Sequence, residues 1–249
     1  YFSLSSFLPH SHNIWTSDVQ ILYNECMEFY HVLNRGVDKR KIFLDDRDRF
    51  RFIHDLFEFN DKNPAGSIYY HFRKSPSDIQ NVQKRLQRKL LVYIHCFAMM
   101  PNHYHLLISP ATENGIPKFM KKLNMGYAKY FNEKYNRTGA LFQGKYKSAH
   151  IENDKHFLYI PYYIHFNPLD LYEPKWRKRK ISDIKKSVNF LGSYRWSSHL
   201  DYLGKNNFPS VTQRKWMLKY FNGESEYERL FIKELKNYSV DELGGISLE

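Results

Sequence analysis

The chain has 249 residues, of which 38 are Lys or Arg and 26 are Asp or Glu, so its formal net charge at pH 7 is +12. A content of 42% hydrophobic and 17% aromatic residues excludes a disordered basic tail, because disorder requires low hydrophobicity. No apolar run approaches the roughly 18–20 residues of a membrane span, which argues against a spanning protein. A folded, strongly basic protein attracts phosphate groups, so nucleic acid is the first partner to consider.

The two cysteines, Cys26 and Cys96, are too few for a disulfide framework and form no CxxC metal motif. This cysteine usage favours a reducing cytoplasm. The N-terminal segment lacks a positively charged n-region, so we interpret it as a truncated or processed start rather than a secretion signal. Residues 1–25 show no clear period and predict a tail or an extra strand.

A strand and then a helix are predicted early in the chain. Residues 28–35 have a β-like composition, and the run ends at Gly36, a turn residue. Residues 45–49 open a helical pattern, since the acidic residues among them are favoured in a first turn. The predicted apolar face of this helix carries Phe50, Ile53, Leu56 and Phe57.

A strand pair and two helices follow. Residues 91–98 and 103–108 have strand composition, and residues 99–102 interrupt them, which predicts an antiparallel pair joined by a tight turn. The amphipathic pattern of residues 118–135 predicts a long helix, and residues 154–166 predict a shorter one. Helices that alternate with antiparallel strands indicate an α+β layer fold.

Two histidines stand on the second strand of this pair. Residues i and i+2 of a strand point to the same face, so His103 and His105 are neighbours while Tyr104 points to the opposite face. Two imidazoles at the corresponding Cα separation of about 6.5–7 Å can converge on one divalent ion. The alternative is one histidine in the core and one at the surface, and the local pattern leaves both interpretations open.

The helix of residues 154–166 offers a tyrosine beside an asparagine. Tyr163 and Asn167 are four residues apart and therefore share a face, whereas Tyr162 and Tyr159 point elsewhere. Pro161 either starts the helix or kinks it. Because the chain has 20 tyrosines, most of which serve packing, an ordinary packing role for Tyr163 is the alternative.

Seven motifs in one order resemble the single-tyrosine transposases of the HUH endonuclease superfamily, and more closely their REP-associated tyrosine transposase branch. The likeness spans roughly residues 28–200. The motifs are YHVLNRG (30–36), IFLDD (42–46), MPNHYHLLI (100–108), YAKYFN (127–132), GALFQGKYKS (139–148), YIHFNP (163–168) and YRWSS (194–198).

The resemblance implies a fold and a domain plan. The fold would be a ferredoxin-like antiparallel sheet with helices packed on it, as in HUH endonucleases, followed by a mainly helical C-terminal extension. The catalytic domain would occupy residues 26–172. A basic connector and the C-terminal extension would occupy residues 173–249.

The resemblance also implies the site and its chemistry. His103, His105 and Asn167 would bind Mg²⁺ or Mn²⁺, and Tyr163 would be the nucleophile. Tyr163 would attack a scissile phosphate in single-stranded DNA, forming a 5′-phosphotyrosine and a free 3′-OH. The DNA target would be a hairpin, or REP, element with flanking single strand. Such enzymes act in DNA transposition in the prokaryotic cytoplasm, at the nucleoid, as homodimers or as monomers.

Substrate binding is expected from the basic surface and from aromatic residues within it, since unpaired bases stack on aromatic rings. The candidate DNA-binding residues are Arg35, Lys39, Arg40, Lys121, Lys122, Arg137, Lys145, Tyr146, Lys147, Lys175, Arg177, Lys178, Arg179, Lys180 and Trp196.

Three other functions compete with this interpretation. A replication or relaxase-type HUH nickase would share the metal and tyrosine chemistry but differ in the flanking motifs. A domesticated nucleic-acid-binding regulator would keep the fold without cleaving DNA. A metal hydrolase would use water as the nucleophile and leave Tyr163 with a structural role.

Overall fold

The computed structural model describes residues 28–63, 88–152, 154–178 and 180–237, with side chains throughout except at residues 154 and 155. The predicted N-terminal tail, residues 1–25, lies outside these ranges. Cys96 is buried as a free thiol, and Cys26 lies outside the described residues. Of the described helices, none combines the length and the apolar character needed to cross a membrane.

The elements that build the sheet and cover one of its faces are β1 (Tyr30–Arg35), α1 (Asp46–Glu58), β2 (Val92–Met100), β3 (His103–Pro110), α2 (Gly115–Lys134) and β4 (Lys147–His150). The described strands form one four-stranded antiparallel sheet with the order β2-β3-β1-β4. Helix α1 lies between β1 and β2 in the chain, and helix α2 lies between β3 and β4. This β-α-β-β-α-β connectivity with this strand order is the ferredoxin-like arrangement, so the predicted fold class is confirmed.

The hairpin between β2 and β3 is tighter than the sequence predicts. Met99 pairs with Tyr104 and Met100 pairs with His103, so both methionines belong to β2. The turn is therefore reduced to Pro101 and Asn102, because the buried side chains of the two methionines extend the strand. This short turn places His103 at the first position of β3.

Helix α1 begins where the acidic cluster predicts. Asp45 is its N-cap and forms a capping box with Asp48, which satisfies two backbone N–H groups of the first turn. The predicted apolar face is wrong at Phe50, whose side chain is 44% exposed. Phe52 takes its place in the core, because the buried carboxylates Asp48 and Asp55 shift the inner face of the helix.

The sheet is covered on both faces. On one face, Tyr104, Leu106 and Ile108 of β3 pack against α1 and α2. On the other face, Leu107 of β3 and Cys96 of β2 pack against helix α3, Asp154–Phe166, and the helices that follow it. Because alternate residues of one strand point to opposite faces, His103 and His105 share the face covered by α3.

Helix α3 has the predicted bounds, and Pro161 lies in its interior. A 3₁₀ helix, Asn167–Leu171, follows directly, and a second one covers Trp176–Lys178. The remaining helices are α4 (Ile184–Leu191), α5 (His199–Tyr202), α6 (Arg214–Tyr220) and α7 (Glu224–Lys236).

A buried polar network ties α3 to the C-terminal helices. The Tyr227 hydroxyl lies 2.7 Å from Nδ1 of His165 and 2.8 Å from Nδ1 of His199. Nε2 of His165 lies 2.8 Å from Oγ of Ser198, and this hydroxyl oxygen accepts a hydrogen bond from the backbone N–H of Phe97. Residues on both sides of position 172 thus share one core, and the boundary between residues 26–172 and 173–249 stays a prediction.

Buried histidines should make the fold sensitive to acid. Burial lowers the pKa of His95 and of His199 to about 3, from an ordinary value of 6.5. Their neutral forms stabilise the fold fully above about pH 6.5. Below that pH the unfolded chain binds protons that the folded chain does not, so stability is lost as the pH falls toward 3.

We expect the free energy of unfolding to fall by up to about 1.4 kcal/mol per pH unit for each of these histidines below pH 6. The variant His199→Gln stays neutral, so its pH slope should be shallower by the contribution of one proton. Urea unfolding of both proteins at pH 7.5, 6 and 5 measures the slopes. Parallel slopes would mean that His199 is protonated in the fold.

Candidate tyrosine and histidine site

Three histidines from two adjacent strands meet on the sheet face that α3 covers. Nε2 of His31 in β1 lies 2.9 Å from Nδ1 of His105 in β3, and the two rings stack with centroids 5.2 Å apart. The His103 ring lies edge-on to His105 at 5.0 Å. Nδ1 of His103 lies 2.7 Å from Oδ1 of Asn102, in the hairpin turn. The predicted neighbours on β3 are therefore together, and His31 joins them.

Helix α3 brings Tyr163 to this histidine cluster. The Tyr163 ring lies edge-on to His31 at 5.7 Å and to His105 at 6.0 Å. Asn167, one turn later, donates a hydrogen bond of 2.8 Å from Nδ2 to the backbone carbonyl of Tyr163. Both side chains are buried. Tyr163 and Asn167 thus lie on one face as predicted, and the Tyr163 ring is turned toward the histidines.

An arginine from the second 3₁₀ helix completes the site. Nη1 of Arg177 donates a 3.2 Å hydrogen bond to the Tyr163 hydroxyl, and Nη2 donates a 2.6 Å hydrogen bond to Oδ1 of Asn167. The carboxylate of Asp170 accepts from Nε at 3.0 Å and from Nη2 at 2.9 Å. Trp176 donates from its indole N–H to the same carboxylate. The tyrosine oxygen is therefore in direct contact with a fixed positive charge.

The donor set fits a divalent metal at the histidines better than at the asparagine. Each of His103 and His105 makes its hydrogen bond through Nδ1, the arrangement in which Nε2 serves as a metal ligand. The amide oxygen of Asn167 already accepts from Arg177, so a metal there would share that oxygen with a guanidinium. Within the described residues, no three His, Cys, Asp or Glu side chains are arranged to hold a metal.

The predicted DNA-binding residues differ in exposure. Lys122 is half-buried and donates hydrogen bonds to the backbone carbonyls of Asp61 and Asn63. Trp196 is only 8% exposed and packs against Phe50 and Phe208, so the expected ring at the surface is not what the structure shows. The exposed members are Lys39, Lys121, Lys145, Lys147, Lys175, Lys178 and Lys180, the half-buried ones are Arg35, Arg40, Arg137, Tyr146 and Arg177, and Arg179 lies outside the described residues.

Sequence reasoning missed His31 as a member of the site. The residue lies within the motif of residues 30–36, but its distance of 74 positions from His105 conceals their contact. The only available signal in the sequence is the position of His31 on a predicted strand. In the structure, His31 lies two residues before Leu33, which pairs with His105. The pairing register of β1 on β3, which the structure supplies, shows that His31 and His105 are in contact.

Residues 70–167 match the family model described as "Transposase IS200 like", which covers less than half of the chain. No curated protein matches the sequence. One solved structure, described as the REP-associated tyrosine transposase bound to a REP hairpin, is similar at 12% identity and a TM-score of 0.42, over 74% of this chain and 84% of that chain. The match over residues 70–167 confirms the resemblance that the motifs predict, and this part of the chain is similar to IS200-like transposases.

Proposed function

We propose that the protein is a metal-dependent endonuclease and strand transferase of single-stranded DNA that acts in transposition. The contact of the Tyr163 ring with His105 and with its neighbour His31 carries this proposal, because a tyrosine then lies beside a candidate metal ligand. The family match over residues 70–167 supports the transposase class. From the resemblance we also propose that the protein acts in the prokaryotic cytoplasm, at the nucleoid, as a monomer or as a homodimer.

In the proposed reaction, the oxygen of Tyr163 attacks the scissile phosphorus in line with the departing 3′ oxygen. The phosphate remains on the protein as a 5′-phosphotyrosine, and the upstream strand keeps a free 3′-OH. His103, His105 and Asn167 would hold Mg²⁺ or Mn²⁺, which when bound would offset charge on the phosphate oxygens. Asn167 donates a hydrogen bond to the backbone carbonyl of Tyr163, which fixes the position of the Asn167 side chain relative to Tyr163.

A tyrosine suits strand transfer for a chemical reason. A phenolate is a better leaving group than an alkoxide, since a phenol has an ordinary pKa near 10. A DNA 3′-OH can therefore reverse the covalent bond, and strands are rejoined without ATP. The proposed substrate is a hairpin with a flanking single strand, and one of the solved structures similar to this chain is described as bound to a REP hairpin.

The test uses the full chain with Mn²⁺ and a hairpin oligonucleotide labelled at its 5′ end in one sample and at its 3′ end in another. We expect the 3′ label in a denaturation-resistant protein adduct and the 5′ label in a shorter free strand. Chelation of the metal should abolish both products. The same reaction on a strand without a hairpin reports the preference for structure.

The competing functions give different products. Tight binding without cleavage on any hairpin would favour a regulator. Cleavage without an adduct would favour a hydrolase that uses water. An adduct that forms equally well without a hairpin would favour a replication or relaxase-type nickase. Each of these three results would contradict the proposal.

His31 should support metal binding through His105. The variant His31→Leu removes the ring nitrogen 2.9 Å from Nδ1 of His105, so the ligand loses the partner that orients it. We expect the affinity for Mn²⁺ to fall about 10–100-fold. Titration of Mn²⁺ followed by electron paramagnetic resonance measures this affinity without any reaction. The exposed His54 gives the control variant His54→Leu, and unchanged affinity in His31→Leu would count against His105 as a ligand.

A further inference from the structure

The guanidinium of Arg177 is fixed before any substrate binds. Asp170 accepts hydrogen bonds from Nε and Nη2, and the Trp176 ring lies 4.5 Å from the guanidinium carbon. The indole N–H of Trp176 in turn holds Asp170. An arginine held on one edge by a carboxylate and on one face by an aromatic ring has a defined orientation, so little side-chain freedom remains to be lost on binding.

The opposite edge of Arg177 faces the reacting atoms. Its Nη1 lies 3.2 Å from the Tyr163 hydroxyl oxygen, and its Nη2 lies 2.6 Å from Oδ1 of Asn167. The neighbouring lysines of the same basic segment, Lys175 and Lys178, are exposed, whereas Arg177 is half-buried. Arg177 therefore differs in placement from the solvated charges around it.

A phosphorus atom bonded to the Tyr163 oxygen carries its nonbridging oxygens one bond further from the ring. A donor that already contacts the Tyr163 oxygen is then within reach of those oxygens. Arginine also presents its N–H groups in the planar fork that matches two oxygens of a phosphate. The hydrogen bond from Arg177 to the Tyr163 hydroxyl therefore puts Arg177 where it can donate to the covalent intermediate.

We propose that Arg177 is a catalytic residue that donates hydrogen bonds to the nonbridging oxygens of the scissile phosphate while Tyr163 attacks it. This inference rests on the proposed function. The bond from the Tyr163 oxygen to phosphorus forms as the bond from phosphorus to the 3′ oxygen breaks. The phenol releases its proton and the departing 3′ oxygen takes one up, so protons balance, and Arg177 keeps its charge throughout. Asp170 and Trp176 are positioning residues for the guanidinium.

The test compares wild type with Arg177→Met and Arg177→Lys at saturating DNA, and Lys185→Met on helix α4 is the matched loss of an exposed charge. On the ordinary hairpin strand we expect Arg177→Met to slow adduct formation about 10²–10³-fold, the usual loss for one preorganised donor. Arg177→Lys should recover only part of the rate, because an ammonium lacks the fork. Lys185→Met should react like wild type.

A second DNA substrate distinguishes a catalytic role of Arg177 from a merely structural one. It carries a single methylphosphonate at the scissile position, which removes the negative charge of the phosphate. The loss caused by Arg177→Met should be at least about tenfold smaller on this strand, because less charge develops on the oxygens that Arg177 binds. A merely structural role would give the same loss on both strands and would overturn the inference.

Each remaining outcome also supports or overturns the inference about Arg177. Equal rates for wild type and Arg177→Met on the ordinary strand would overturn the inference. Should the methylphosphonate strand react with neither protein, a loss in the rate constant at saturating DNA supports the inference and a change confined to affinity overturns it. An absence of adduct with wild type on the ordinary strand shows instead that the proposed function fails, and the inference falls with it.

Discussion

Replacing Tyr163 by Phe is expected to abolish the covalent protein–DNA adduct, with a loss of roughly 10⁴-fold or more. The change removes one oxygen atom and leaves the ring contacts with His31 and His105, so the site keeps its packing. Arg177 loses one hydrogen bond but stays bound to Asp170 and Asn167. Gel electrophoresis under denaturing conditions, with the 3′-labelled hairpin, measures the adduct.

Tyr162→Phe is the matched control. The Tyr162 ring is buried on the other side of α3, where it stacks on Tyr227 with centroids 5.8 Å apart. Burial raises the pKa of its hydroxyl, which makes this phenol still less able to act as a nucleophile. We expect Tyr162→Phe to form the adduct at nearly the wild-type rate. An adduct in Tyr163→Phe, or its loss in Tyr162→Phe alone, would show that the nucleophile is another residue.

DNA affinity separates this prediction from a folding defect. The hydroxyl of Tyr163 is buried and contacts Arg177, so its removal should leave the exposed basic residues in place. Hairpin affinity in the presence of Ca²⁺ should therefore stay within a few-fold of wild type for both variants. A joint loss of affinity and adduct in Tyr163→Phe would indicate a damaged fold rather than a missing nucleophile.

The local parts of the fold are readable from the sequence because periodicity reports neighbours within one element. Alternation along β3 predicts that His103 and His105 share a face, and the helical turn predicts that Tyr163 and Asn167 do so. The structure has both relations, and helix α3 has the predicted bounds. In each case the decisive contact lies within four residues, where backbone geometry alone fixes it.

Contacts between different helices and strands cannot be predicted from the periodicity of either element. His31 meets His105 only through the register of β1 on β3, and no local pattern contains that register. Arg177 reaches Tyr163 because two 3₁₀ helices fold the chain back over α3, and the sequence of this segment shows only a basic run. Sequence reasoning therefore places Arg177 among the surface charges and misses its inward orientation.

Polar residues in the core explain the error in α1. Asp48 and Asp55 are fully buried, so the inner face of this helix includes carboxylates that a hydrophobic pattern assigns to solvent. Asp48 is held by Tyr130 and Lys134 of α2, partners 82 and 86 residues away. A burial that depends on such distant partners cannot be inferred from the helix alone, and Phe50 is misplaced as a result.

Loss of Asp48 should greatly lower the stability of the fold. Its carboxylate accepts hydrogen bonds from the Tyr130 hydroxyl at 3.0 Å, the Tyr135 hydroxyl at 2.8 Å and Lys134 Nζ at 2.7 Å. It also accepts from the backbone N–H of Leu44 at 2.8 Å. Asp48→Ala leaves all these donors without their common acceptor and opens the capping box of α1.

We expect Asp48→Ala to lower the free energy of unfolding by about 3–5 kcal/mol, the usual cost of breaking a buried ion pair from one side. Asp46→Ala is the control, because this carboxylate is 69% exposed and pairs only with Arg49 among the described contacts. Its loss should cost less than about 1 kcal/mol, since surface pairs and first-turn charges contribute little. Urea unfolding at pH 7.5 measures both variants. Similar losses would mean that the negative charge in the first turn of α1, and not the bridge from Asp48 to α2, accounts for the loss of stability.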